Sequence, residues 1–354
     1  MNEAKGSGAI PAREQFIQEL APLGLSARMP ASLRGPDAAA CEQASAVFEV
    51  IEELAFGASG EGARVARQAG AWAMRTSHRR YWAARTPSGE AGLVPLGSFG
   101  GGHLVTPCAI ETGADGNLWI ASLGAERITV LTPEGGLVRH VPLPGARPWG
   151  LFPAGDGTIW ACDFARPRME RIAPDGSIVQ GIALPHSSGD DLRPILGAAS
   201  GADIFLILAD GRGGARRLAR LRADGSGLEF LPCPVLNPSC VRVRDGLLHV
   251  SSLNPAFLLA RPLDSGDWFR VNAGLLPEYL TRFDFAGPEA WLTARRHLIR
   301  LGREGEVEMI VDAGGLAGYP EANLCDVAGL QSSRERRLYA VDNIHNLVHS
   351  YRIG

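Results

Sequence analysis

Gly116-Asn117-Leu118-Trp119-Ile120-Ala121-Ser122 returns 41 residues later as Gly157-Thr158-Ile159-Trp160-Ala161-Cys162-Asp163. Each copy is followed by Arg-Ile, a Pro-x-Gly turn, and a strand that ends in Leu-Pro. A repeat of about forty residues made of short strands is the signature of a β-propeller, in which each copy is one blade that buries its faces only against its neighbours.

Working outward from these copies, the aromatic of the second strand recurs at Trp72, Trp119, Trp160, Phe205, His249, Trp291 and Tyr339. The steps between them are 47, 41, 45, 44, 42 and 48 residues. The expected fold is therefore all-β, a seven-bladed β-propeller of four-stranded blades, with these side chains packed between blades. Turn chemistry agrees. Asp115-Gly116, Asp156-Gly157 and Asp245-Gly246 fall between first and second strands, and Asp175-Gly176 and Asp224-Gly225 between third and fourth. Glycine supplies the positive φ that such hairpins need.

The two ends predict how the ring closes. Asn346 to Ile353 reads as a third strand, after which the chain stops, so the last blade lacks its fourth. Residues 11–24 resemble the fourth strands elsewhere and are expected to supply it, leaving no open edge. Residues 1–10 are expected to be disordered. Residues 36–58 are read as a helical insertion, with Val47, Val50, Ile51 and Leu54 at helical spacing. The Trp72 copy is expected to end on a fourth strand at Leu93-Val94-Pro95-Leu96.

The chain has 354 residues, 45% of them hydrophobic, and a net charge of −3. That charge calls for neither nucleic acid nor an anionic membrane as partner. No apolar run has the length of a transmembrane helix, and the N-terminus shows no secretory pattern. Six cysteines without CxxC spacing read as reduced thiols, and the expected location is cytoplasmic. Lys5 is the only lysine, so basic charge is carried by arginine, whose planar fork suits oxyanions.

Leu143-Pro144, Pro148-Trp149-Gly150-Leu151, Gly157 to Asp163, Glu170-Arg171-Ile172 and Pro174-Asp175-Gly176 together resemble the virginiamycin B lyase (streptogramin lyase) family. That family consists of seven-bladed propellers related to NHL-repeat and gluconolactonase-like proteins. The resemblance implies ring opening of a cyclic ester by elimination, with a histidine as base and magnesium held by glutamates. The chain departs from the pattern at its chemistry. The family's histidine position reads Cys108, Trp149, Ile195, Ser239, Thr281 and Cys325 in successive copies. The glutamate position, three after the aromatic, keeps a carboxylate only at Asp163 and Asp342.

The candidate site follows from those departures. Asp163 and Asp342, on the third and seventh copies, are expected nearly across the channel, sharing a magnesium or calcium ion with Asn343 as a neutral oxygen ligand. His345 is the expected general base, with Asp342 and Asp163 as the other catalytic groups. Arg147 and Arg295 are expected to bind a carboxylate or polarise a carbonyl. Trp149, Cys108 and Cys325 are expected at the channel mouth against the substrate, and packing is the competing reading for the two thiols. The expected function is a lyase-like enzyme acting on a small molecule, cyclic peptide or lactone. The alternative is a non-catalytic ring that binds a protein or ligand through its arginine-rich rim.

Overall fold

The computed structural model describes residues 92–354, apart from 185–191, 211–215, 236, 254–255, 265, 273–275, 277–279, 304 and 332–334. Short strands separated by Asp-Gly turns fold back on one another in sequence order and form antiparallel four-stranded sheets. Blade 1 is Pro107–Thr112 (β2), Leu118–Ser122 (β3), Arg127–Leu131 (β4) and Leu137–Pro142 (β5). Blade 2 is Pro148–Pro153 (β6), Ile159–Asp163 (β7), Arg168–Ile172 (β8) and Ile178–Ala183 (β9). Blade 3 runs through Leu192–Ser200 (β10), Asp203–Asp210 (β11), Arg216–Arg222 (β12) and Glu229–Phe230 (β13). Blade 4 contains Pro238–Arg244 (β14), Leu247–Leu253 (β15), Ala256–Pro262 (β16) and Phe269–Arg270 (β17). Leu280–Ala286 (β18), Glu289–Ala294 (β19), His297–Leu301 (β20) and Val307–Asp312 (β21) build blade 5. A short helix, Ala313–Leu316 (α1), leads on to blade 6, which is Leu324–Gln331 (β22), Arg336–Asp342 (β23) and Leu347–Ile353 (β24).

The fourth strand of blade 6 is Leu93–Phe99 (β1), antiparallel to β24 with Leu93 opposite Ile353 and Phe99 opposite Val348. Successive first strands contact one another from β2 through β6, β10, β14, β18 and β22 back to β2, so the ring is closed. The described residues form six blades, which corrects the expected seven. The reason is the partner of Leu93-Val94-Pro95-Leu96. Expected to end a blade around Trp72, this segment pairs with the C-terminal strand and fills the place expected of residues 11–24. Trp72, residues 11–24 and the helical insertion at 36–58 lie outside the described residues. The principle of closure holds: an N-terminal strand covers the edge that the C-terminal one would leave open.

The repeated aromatics pack between blades as expected. Trp119 is buried with Leu151, Ile159 and Ile172 of the next blade, and Trp160 with Ile204, Leu206 and Leu221. Trp291 meets Val327 and Leu338 in the same way, while Tyr339 meets Ile110 and Ile120. Truncating one such side chain costs about 3–5 kcal/mol. The Asp-Gly turns form Asx turns: the carboxylates of Asp115, Asp156, Asp175 and Asp224 each accept from the N–H two residues on. Gly116, Gly157, Gly176, Gly225 and Gly246 all have positive φ.

Candidate functional site

Every complete blade turns from its second to its third strand at one end of the ring, where the first strands also begin. That end is the mouth. Two of these turns carry the surviving carboxylates, and the two are built alike. Asp163 Oδ1 accepts from the N–H of Ala165 at 2.8 Å and of Arg147 at 2.9 Å. Asp342 Oδ1 accepts from the N–H of Ile344 at 3.0 Å and of Asn323 at 3.2 Å. Each carboxylate thus closes its own turn and holds the residue that leads into its blade's first strand. This local task accounts for aspartate at both addresses.

The second oxygen separates them. Asp163 Oδ2 meets Arg166, three residues on, at 2.5 Å. The equivalent residue after Asp342 is His345, whose Nδ1 lies 2.6 Å from Asp342 Oδ2. A permanent cation occupies the position in blade 2 and a titratable ring in blade 6. His349 Nε2 reaches the same oxygen at 3.2 Å, and its Nδ1 lies 2.7 Å from Ser98 Oγ. Burial works against ionisation of Asp342, but the hydrogen bonds from His349, His345, and the Asn323 and Ile344 N–H groups outweigh it, and the carboxyl is held well below the usual carboxylate range. An ionised acceptor makes both ring nitrogens that face it donors. Tyr319 packs over both imidazoles, with ring centroids 4.9 Å from His345 and 5.0 Å from His349. Asp342 and His349 are fully buried, whereas the His345 side chain is 31% exposed. With Nδ1 committed to Asp342, Nε2 of His345 is the nitrogen left for an incoming group.

The expected divalent-ion site does not fit these residues. On the six-bladed ring Asp163 lies on blade 2 and Asp342 on blade 6, two steps apart rather than across the channel. All their carboxylate oxygens are taken by N–H donors of the protein. Asn343 Oδ1 accepts from Asn323 Nδ2 at 2.9 Å. Among the described residues no group of three or more His, Cys, Asp or Glu is placed to hold a metal ion.

The other expected site residues are spread around the mouth. Arg147 is exposed on blade 2, with its backbone on Asp163. Arg295 is exposed on the blade 5 turn, where its carbonyl accepts from Leu324, the residue after Asn323. Trp149 is half-buried and packs on Phe164 at 4.9 Å. Cys108 and Cys325 are tied into the seams between blades. Cys325 donates to Pro107 O and Cys108 to Pro148 O, both at 3.3 Å. Ser239 donates in the same way to Leu280 O at 2.9 Å, and Thr281 to Leu324 O at 3.3 Å. At Cys108, Ser239, Thr281 and Cys325 the position that holds the base in the resembled family thus carries a small donor stitched to the next blade, while in the other two blades it is Trp149 and Ile195. Burial pushes the Cys108 thiol up to about 12 and raises Cys325 as well. A raised pKa and a carbonyl partner both disfavour the thiolate that a nucleophile needs.

One cluster was not anticipated from the sequence. The channel is crossed by buried arginines on first strands. Arg242 of blade 4 reaches Glu111 of the opposite blade 1 at 2.6 Å, and Asp284 of adjacent blade 5 at 3.5 Å. Arg282 of blade 5 bonds Asp326 at 2.9 Å and the Trp149 carbonyl of the opposite blade 2 at 3.0 Å. Asp326 also accepts from the Ile110 N–H at 3.0 Å. The inner-strand positions two and four after the first-strand start hold these charges, and their alternation with apolar residues was the available signal. Gly150 occupies one such position on blade 2, where a Cβ would come within 2.0 Å of the Ile195 carbonyl.

No protein-family model matches the chain, nor does any curated protein sequence. Solved structures do resemble it. A gluconolactonase of Xanthomonas campestris superposes with a TM-score of 0.57 at 15% identity, covering 71% of this chain and 87% of its own. A structural-genomics target named as a gluconolactonase candidate superposes with a TM-score of 0.58 at 17% identity, covering 75% of this chain and 93% of its own. Virginiamycin B lyase of Staphylococcus aureus is also similar, with a TM-score of 0.49 at 16% identity over 70% of this chain and 80% of its own. Likeness at this identity is likeness of fold: the chain is a β-propeller of four-stranded blades.

Proposed function

We propose that the protein is a small-molecule enzyme that opens a lactone or other cyclic ester by general-base catalysis at blade 6. The observation that carries this reading is the Asp342–His345 pair, a buried carboxylate 2.6 Å from the Nδ1 of a partly exposed imidazole. Asp342 fixes the tautomer and steadies the imidazolium that forms when Nε2 takes a proton. The proton comes from water in hydrolysis, or from the carbon beside the carbonyl in elimination. Arg295, on the adjoining turn, is the candidate to polarise the carbonyl. The propeller gluconolactonase of similar fold supports a lactone as the first substrate class to examine.

The test is a panel of sugar lactones and cyclic depsipeptides, followed by mass spectrometry. A product heavier by one water identifies hydrolysis, and an isomeric product identifies elimination. His345→Gln is expected to lower kcat by about 100-fold or more with an unchanged melting temperature. A wild-type protein no faster than His345→Gln on every member overturns the proposal and leaves the ring as a binding platform.

A further inference from the structure

Five described Asp-Gly pairs turn the chain between strands, and four of them are clamped. In those four the residue after the glycine is polar, and its side chain donates back to the aspartate. Asn117 Nδ2 reaches Asp115 at 2.7 Å, Thr158 Oγ1 reaches Asp156 at 2.6 Å, and the Ser177 and Ser226 hydroxyls reach Asp175 and Asp224 at 2.7 Å each. These bonds add to the backbone N–H that closes each Asx turn. Most of the glycine nitrogens are engaged as well: Gly116, Gly176 and Gly225 donate to the carbonyl three residues back. Asp156, whose glycine nitrogen is not so held, has Arg171 as a further partner.

Asp245-Gly246 lacks the clamp. Leu247 follows it, so there is no side-chain donor, and no Asx turn forms. The Asp245 side chain is 83% exposed and meets Arg244 Nε at 3.2 Å, a solvent-exposed contact of small worth. Among the described residues nothing accepts from the Gly246 N–H, and no atom crowds Gly246 within 4 Å of where a Cβ would stand. Both residues have positive φ, 51° and 75°, in the two-residue loop that joins Arg244 to Leu247.

We infer that Asp245 is a site of spontaneous backbone modification, where its side-chain carboxyl and the Gly246 nitrogen close a succinimide that reopens as isoaspartate. The nitrogen bonds to Cγ, and its proton leaves with the carboxyl hydroxyl as water. Water then adds back. Attack on the Asp245 main-chain carbonyl breaks its bond to the Gly246 nitrogen and leaves the chain running through the side chain, while attack at Cγ restores aspartate. The sum is an isomerisation that needs no oxidant and no enzyme. It does need a carboxyl free to turn and a nitrogen free of its own bond, and among the described turns this one has both. The product has a longer loop between β14 and β15, and loop length sets hairpin register. The turn lies at the end of the ring opposite His345, so the inference is independent of the catalytic reading.

The experiment incubates the full chain at neutral pH in water enriched in heavy oxygen. Each passage through the succinimide puts one heavy oxygen into the residue, which peptide mass spectrometry reads at every Asp-Gly pair, and electron-transfer fragmentation identifies isoaspartate. In the folded protein Asp245 is expected to take up label about tenfold faster than Asp115, Asp156, Asp175 or Asp224, the factor that one lost hydrogen bond of ordinary strength supplies. In urea the five are expected to label at similar rates, because each is followed by glycine. Leu247→Ser supplies the missing hydroxyl and is expected to slow Asp245 to the rate of the others. Ser226→Ala, at an exposed position, removes the clamp from Asp224 and is expected to speed that residue by a similar factor. Should Leu247→Ser fail to fold, Ser226→Ala carries the test. Uptake at Asp245 no faster than at the other four, a lead that persists in urea, or an unchanged rate at Asp224 in Ser226→Ala overturns the inference.

Discussion

Arg242 and Glu111 stand on opposite blades and meet at 2.6 Å, so the centre of the ring is crossed by a contact between a guanidinium and a carboxyl group. Together with Arg282, which reaches from blade 5 to the Trp149 carbonyl of blade 2, the pair fastens blades that share no seam. Six short sheets around an axis leave their inner strands with few side-chain neighbours. Long arginine stems fill that space, and their forks find acceptors on the far wall.

The electrostatics of that centre predict a pH trend. Burial raises Glu111 to about 8, and Asp284 is raised for the same reason. A carboxyl whose folded pKa lies above its unfolded value adds stability that is complete below the unfolded pKa and is lost as pH rises through the folded one. Melting temperature should therefore fall between about pH 5 and pH 8. Glu111→Gln, which carries no proton to lose, should flatten that slope, as scanning fluorimetry across the range will read.

Asp342 behaves in the opposite sense. Its folded pKa is depressed, so its contribution is present above the unfolded value and is lost as pH falls through the folded one. Asp342→Asn should cost about 1–3 kcal/mol at neutral pH, because the buried group loses its charge-assisted bonds. The same variant should show a weaker loss of stability on acidification below about pH 4. Urea midpoints taken at acid and neutral pH test both statements.

The seam cysteines should be silent to alkylation. Cys108 and Cys325 are held by carbonyls of the next blade and raised by burial. Iodoacetamide at pH 8 followed by peptide mass spectrometry should leave both unmodified in the native protein and label both in denaturant. Cys325→Ser should change stability by no more than about 1 kcal/mol, since Ser239 already performs the same task in its own seam.

Closure of the ring rests on β1. Ser98→Ala removes the 2.7 Å bond to His349 and should cost about 1 kcal/mol. A chain that begins after Gly100 strips the whole strand and leaves the edge of β24 unpaired. It should melt at lower temperature and self-associate, as light scattering would show.

Much of the fold could be read locally. Trp119 and Trp160 announced their strands, and the Asp-Gly pairs announced the hairpins, because side-chain periodicity and positive φ are properties of a few neighbouring residues. The count of blades was not local. Leu93-Val94-Pro95-Leu96 has the pattern of any fourth strand, and only hydrogen bonding to Ile353 assigns it to the last blade rather than to one of its own. The candidate base was half legible. Asp163-x-x-Arg166 and Asp342-x-x-His345 share a spacing, and the change from arginine to histidine stands in the sequence. His349 and Ser98 joined that site only through strand pairing, from 251 residues apart.

What the repeat determined by itself is the blade: its strands, its turns and the aromatic that glues it to its neighbour, all within about forty residues. What the tertiary structure decided is everything that depends on which copies face one another. Six blades rather than seven moved Asp163 and Asp342 out of opposition, and ring closure brought Arg242 to Glu111 and Arg282 to Trp149. Contacts across the axis join residues that no sequence period relates, so chemistry at the centre of a propeller appears only once the ring has closed.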